Sequence, residues 1–231
     1  MKRLLLIALA TAGCADGFGE AATGTVDVTL ASGMTVLDDL RIERAFLSIG
    51  EIELEPAAPT EPPPDDHGHA HAHLGVRGAA PAVLEGMPIE LLGGEHHLGS
   101  VEADVAHYET AHLLLVPGIL ENDARCSLYV AGTATLGEEL VPLQLCIPAG
   151  VDVIVPIELD VEHELESSLG LLLDFGALLH DVHVDELERF PSSPIRINEV
   201  ENRAAYDRIR GNLAGSIVQI HVEPHDDHAH E

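Results

Sequence analysis

Histidine and aspartate recur together in two stretches of this chain. Asp65-Asp66-His67-Gly68-His69 runs on into His71 and His73, and Asp226-Asp227-His228-Ala229-His230 follows His225. Neutral imidazole is the commonest protein metal ligand, and carboxylates often complete the shell of a borderline divalent ion. In an extended chain, residues two apart point the same way with Cα atoms about 7 Å apart, so His67, His69, His71 and His73 share one side. The glycine and alanines between them let the chain bend around an ion, with Asp65 or Asp66 adding charge. His225, Asp227, His228 and His230 offer the same donors, and one ion shared by both tracts is within their chemistry. Zn²⁺ is the first choice, then Ni²⁺ or Cu²⁺. Cu⁺ is disfavoured, because no free thiolate is expected and Met34 and Met87 are isolated. Protons compete for the imidazoles, so capture is expected to weaken as pH falls through about 6.5. The competing reading is a pair of solvated low-complexity segments that hold metal only as an affinity tag does.

The other histidines are weaker candidates. His180-Asp-Val-His183 and Glu95-His96-His97, the latter at an expected turn, are the best remaining candidates for a structured metal site, with His221 beside the tail. His107, His112 and His163 sit in or beside expected strands, where a single histidine is more often a packed or surface residue than a ligand. Enzyme signatures are missing. His163-Glu164-Leu165-Glu166-Ser167 lacks the second histidine of a zincin helix, and there is no Gly-x-Ser-x-Gly elbow or phosphate-cradling glycine loop. The chain therefore reads as a binding protein and not an enzyme.

Charge narrows the partners. A formal net charge of −29 over 231 residues repels nucleic acid and concentrates cations near the surface. With 3% aromatic residues and no Trp, stacking platforms for bases or sugar rings are scarce. Hydrophobic residues make up 46%, enough for a core without staples.

Something must hold these residues in place, and the patterning points to strands. Thr25–Leu30 alternates Val26, Val28 and Leu30 with Thr25, Asp27 and Thr29, the period of a half-buried strand. Comparable runs occupy 45–54, 83–92, 101–108, 111–116, 127–136, 140–147, 151–159, 169–175 and 216–222, nearly all punctuated by turn residues. Such spacing predicts a mainly β fold, an antiparallel sandwich or barrel. One helix is expected over Asn198–Leu213, with Asn198 as N-cap, Glu199 and Glu201 in the first turn, and Arg208 and Arg210 near the end. Gly176–Leu187 is expected to add a helical turn or two. Cys126 and Cys146 are expected to form a disulfide, because a turn near Gly137 brings the two strands that carry them together. Residues 56–80, rich in proline and then histidine, cannot bury a core and read as an inserted loop in a single domain over 24–223, followed by a His-rich tail at 224–231.

Residues 1–13 carry signal-peptide grammar: Lys2 and Arg3, the apolar run Leu4–Ala10, then Thr11-Ala12-Gly13 before Cys14. The run is too short to span a bilayer, which takes roughly 20 residues. Thr-Ala-Gly-Cys resembles the lipobox of bacterial lipoproteins. That resemblance implies lipidation of Cys14, a tether over 14–23, and anchorage in the cell envelope. Ala15, in place of an aspartate retention signal, implies the outer membrane of a Gram-negative bacterium. Parts of the domain also resemble a family of bacterial lipoproteins of unknown function with an immunoglobulin-like sandwich: Gly24–Leu30, Ile89–Leu115 and Leu171–Phe175. The resemblance implies a fold and no activity. Together these features describe a membrane-anchored exported lipoprotein that binds divalent metal for capture, buffering or delivery. Its expected partners are the ions, the membrane through its lipid, and a metal transporter or other envelope protein. The alternative is a structural or adhesive sandwich lipoprotein whose histidine tracts are incidental.

Overall fold

The computed structural model describes residues 22–57, 82–83, 88–120, 125–163 and 165–220. Strands dominate. The first half holds β1 (Thr23–Ser32), β2 (Val36–Leu37), β3 (Leu40–Pro56), β4 (Ala82–Val83), β5 (Pro88–Glu90), β6 (His96–Asp104) and β7 (His107–Leu115). Then come β8 (Gly118–Ile119), β9 (Arg125–Cys126), β10 (Leu128–Leu136), β11 (Glu139–Ile147), β12 (Val151–Asp160) and β13 (Glu166–Leu173). A short helix α1 (Phe175–Leu178) leads through β14 (Ile195–Ile197) to α2 (Arg203–Ser216) and β15 (Ile217–Ile220). One sheet has the order β15-β13-β1-β6 and the other β12-β7-β3-β10-β11-β14, giving the expected sandwich layout. Two ladders, β1–β13 and β11–β14, are parallel, and the other pairings are antiparallel.

The alternation in β1 does what its sequence predicts. Val26, Val28 and Leu30 are buried and pack in one core with Leu169, Leu171 and Leu173 of β13 and with Leu113, Leu115, Val153 and Val155 of the facing sheet. Each fully buried side chain of this size contributes about 1.5–3 kcal/mol relative to exposure. The long strand β3 belongs to both halves of its sheet, pairing with β10 through Leu40–Leu47 and with β7 through Ile49–Pro56. Its buried positions change phase twice: Leu40 and Ile42, then Ala45, Leu47 and Ile49, then Ile52 and Leu54. The registers show why. A bulge lies opposite Ala131/Gly132 and another between Ile49 and Glu51, and each inserts one residue that flips the faces. At the first, Gly132 is required, because a Cβ there would stand 2.1 Å from the Arg41 carbonyl oxygen. Strand β3 therefore starts five residues before the expected Ala45.

The β10–β11 hairpin turns at Gly137, whose φ of 64° suits the first position of a two-residue loop. Cys126 and Cys146 are bonded, with Cα atoms 5.5 Å apart. The residue opposite Cys146 is Tyr129, so the bond ties the short β9 to β11 just beyond the ladder.

Three local expectations are corrected. The helix begins at Arg203, not after Asn198. Asn198 does accept hydrogen bonds, from the Val200 and Glu201 amides, but they close an isolated turn. Asn202 then adopts a left-handed conformation (φ 55°, ψ 43°) and redirects the chain into α2. His96 and His97 lie in β6, paired with Leu30 and Thr29, and not in a turn. Gly94 (φ 113°) makes the bend before them. The expected strand 101–108 is two strands, with the break at Val105-Ala106.

Helix α2 buries Tyr206, Ile209 and Leu213, one stripe at helical spacing, against α1, β11, β12 and β14. Between the two sheets, Gln219 of β15 joins β12: its Oε1 accepts from the Glu158 amide (2.7 Å) and its Nε2 donates to the Glu158 carbonyl (2.9 Å).

Candidate functional site

Several chain crossings meet at one pole of the sandwich. The β1 entry is held by the Val105 amide donating to Ala22 O (2.9 Å), and the β12–β13 connection by Val161 donating to Ala106 O (2.9 Å). The chain leaves β3 there too, with the Ala57 amide donating to His107 O (2.9 Å). Strand β15 runs antiparallel to β13, toward this same pole, and ends at Ile220. Gln219 is bonded to Glu158, two residues from Asp160. The segment with Asp65, Asp66, His67, His69, His71 and His73, and the segment with His221, His225, Asp227, His228 and His230, lie outside the described residues, as does Cys14. Their points of attachment, Ala57 and Ile220, are described.

At this pole, on the edge of the larger sheet, His107 and Asp160 face each other in register at the last rung of β7–β12. His107 Nδ1 lies 2.8 Å from Asp160 Oδ1. A carboxylate only accepts, so Nδ1 carries the proton and the neutral ring keeps its lone pair on Nε2. The His107 side chain is 44% exposed. This pair is absent from the expected site residues, because 53 residues separate its members and only the strand register joins them.

Other histidines take different surroundings. His112, on the outer face of β7, has Glu55 3.1 Å from Nε2 and Asp152 4.0 Å from Nδ1, so carboxylates flank both ring nitrogens. His97 Nε2 lies 3.6 Å from Asp27 Oδ1, while His96 buries an Nε2 that has no partner among the described residues. His180 Nδ1 is 3.3 Å from the neighbouring Asp181, and α2 holds this turn through Asn212 donating to His180 O and Arg208 donating to Asp181 O. His183 is exposed beside a cavity of about 300 Å³ that Asp38, Asp39 and Asp185 also line. His96–His97 and His180–His183 are thus on separate elements, and among the described residues no three His, Cys, Asp or Glu side chains form a metal-holding group.

On the outer face of the smaller sheet, the Asp27 and Glu166 carboxyls are bonded to each other. The Ser100 hydroxyl bonded to Asp27, then the Glu166 carboxyl and His97, hold Asp27 below the usual carboxylate range. Glu166, bonded to the same Asp27 and repelled by its charge, is pushed up. The two carboxyls share a proton more readily than either would alone.

Comparison with protein-family models, with curated proteins and with solved structures finds no match to this chain.

Proposed function

We propose that this protein is an exported, lipid-anchored envelope protein that binds a divalent transition metal, Zn²⁺ before Ni²⁺ or Cu²⁺, for capture, buffering or delivery. The observation that carries the reading is the repeated Asp-Asp-His-x-His unit, at 65–69 and again at 226–230, in a chain of net charge −29. The fold adds support through the attachment points. Ala57, His107, Asp160, Glu158 and Gln219 form a continuous path of backbone bonds, ladder rungs and the Gln219 clamp, on the order of 20 Å long at ordinary strand spacings. The residues from Ala57 to Asp65 can reach about 27 Å when extended. Both tracts therefore come within reach of one ion, and the N-terminal tether at Ala22 springs from the same pole. A lipid on Cys14 would keep them near the membrane surface, close to a transporter or another envelope protein.

Calorimetric titration of the chain from residue 15 with zinc sulfate tests this, with and without residues 65–73 and 225–230. The expected result is a dissociation constant at least tenfold lower with both tracts than with either alone. Affinity no better than that of a free hexahistidine peptide would overturn the reading.

One observation favours the structural or adhesive alternative. At the opposite pole, a groove of about 530 Å³ between β11 and residues 189–194 is lined by Leu140 and Phe190. These side chains are 69% and 61% exposed and line the same groove. An envelope partner that stays bound after both tracts are deleted and metal is chelated would support that alternative.

A further inference from the structure

At the pole opposite the Ala57 exit, where β3 begins and β13 ends, a cavity of about 300 Å³ lies between the β2–β3 turn and the segment that follows α1. Its floor is apolar and reaches the core: Leu40, Leu143 and Ile197 are buried, and the half-buried Leu179 and Val182 pack beside them. The exposed Asp38, Asp39 and Asp185 stand at its mouth with His183, and no lysine or arginine lines it. None of the three carboxylates has a hydrogen-bond or ion-pair partner among the described residues. Both walls are held in place. Leu37 pairs with Leu40 to close the turn that carries Asp38 and Asp39, and the Thr135 amide donates to Asp39 O (2.8 Å). Asp185 sits in the 3₁₀ turn Val184–Glu186, where the Glu186 amide donates to His183 O (3.1 Å). Behind that turn, Asn212 of α2 donates to Leu178 O (3.2 Å).

The lining decides what fits. The cavity has room for about ten water-sized groups at roughly 30 Å³ each. A metal ion would leave the floor unused, because leucine, isoleucine and valine side chains offer it no donor atom. An anion would meet three unpaired carboxylates and be repelled. A primary ammonium brings three N–H donors to those carboxylates, and an aliphatic body behind it restores to the floor the close contacts that an open void forfeits. We propose that this cavity binds a small organic amine, its ammonium at Asp38, Asp39 and Asp185 and its apolar body against Leu40, Leu143 and Ile197. The site lies at the other end of the molecule from the points where both histidine tracts attach, and it is independent of the metal-binding function proposed above.

The test titrates the ¹⁵N-labelled chain from residue 15 with hexylammonium chloride and follows its amide spectrum. Saturable shifts are expected at residues 37–40, 179 and 182–185. Methylammonium, which lacks the body, should bind about 10-fold or more weakly, and hexanoate, which reverses the charge, should not saturate. Asp39→Asn and Asp185→Asn should each raise the dissociation constant for hexylammonium about 10-fold, the loss of one charge-assisted hydrogen bond. Glu109→Gln, an exposed residue on β7, should leave it unchanged. These are surface substitutions, and the dispersion of the same spectra shows that the variants fold. The proposal is overturned by the absence of saturable shifts at these residues, by equal affinity for methylammonium, or by wild-type affinity in the combined Asp39→Asn, Asp185→Asn variant. Tighter binding of a capped Gly-Lys-Gly peptide than of hexylammonium would also overturn it, by assigning the cavity to a partner protein's lysine.

Discussion

Replacing Asn202 separates two contributions that its native geometry combines. Its left-handed backbone costs an ordinary L residue about 1 kcal/mol, which asparagine tolerates unusually well. Its side chain also welds three segments: Oδ1 accepts from the Glu188 amide (2.7 Å), while Nδ2 donates to the Glu188 carbonyl (3.0 Å) and the Arg196 carbonyl (2.8 Å). These bonds are near solvent, so water partly replaces them, and each is worth about 0.7 kcal/mol net. Asn202→Gly keeps the backbone and loses the bonds, a cost of about 2 kcal/mol. Asn202→Ala loses both, about 3 kcal/mol. For a domain of this size each kcal/mol moves the melting temperature by about 2–4 °C. The chain has no Trp, so urea unfolding is followed by far-ultraviolet circular dichroism and tyrosine emission. Equal stability of the Gly and Ala variants would refute the backbone part of the reasoning. A loss under about 0.5 kcal/mol in both would refute the weld.

Two further outcomes follow from the same framework. Glu166→Gln should stabilise the protein near pH 7, because glutamine mimics the protonated acid that can donate to Asp27. The gain should vanish below the ordinary carboxyl range, where wild-type Glu166 is already protonated. The sign follows from its raised value, whose stabilising share is complete at low pH and lost as pH rises through it. Asp27 acts oppositely, stabilising above its unfolded value and losing that as pH falls, so the two are separated by comparing Glu166→Gln with Asp27→Asn across urea titrations. Reducing Cys126–Cys146, or replacing both with alanine, frees a 20-residue separation and should cost about 3 kcal/mol by chain entropy, measured as a shift in urea midpoint. An unchanged midpoint would mean that the hairpin already constrains the unfolded chain.

The half-buried strands were legible because one face alone is buried, as in β1 and β12, and Gly137 announced the hairpin that approximates the two cysteines. Strand β3 was only partly legible. A bulge leaves no local mark except a phase change, so Leu40 and Ile42 fall out of step with Ala45 and Leu47. Asn198 carried every feature of a helix cap and makes the expected bonds, yet Asn202 four residues later decides where α2 begins. That decision rests on contacts with Glu188 and Arg196, which no local pattern contains. The same limit hid His107, whose partner Asp160 is reached only across a ladder.

The Gln219 clamp also bears on the open edge of the larger sheet. Strand β12 ends its sheet, and an open rim of amides and carbonyls is a template on which another chain can add itself. Gln219 already satisfies both main-chain groups of Glu158, so the molecule caps this rim with its own side chain. Pro156, which has no amide hydrogen, lies two residues away on the same strand. At Glu158, at least, a second chain finds no main-chain group left to pair with.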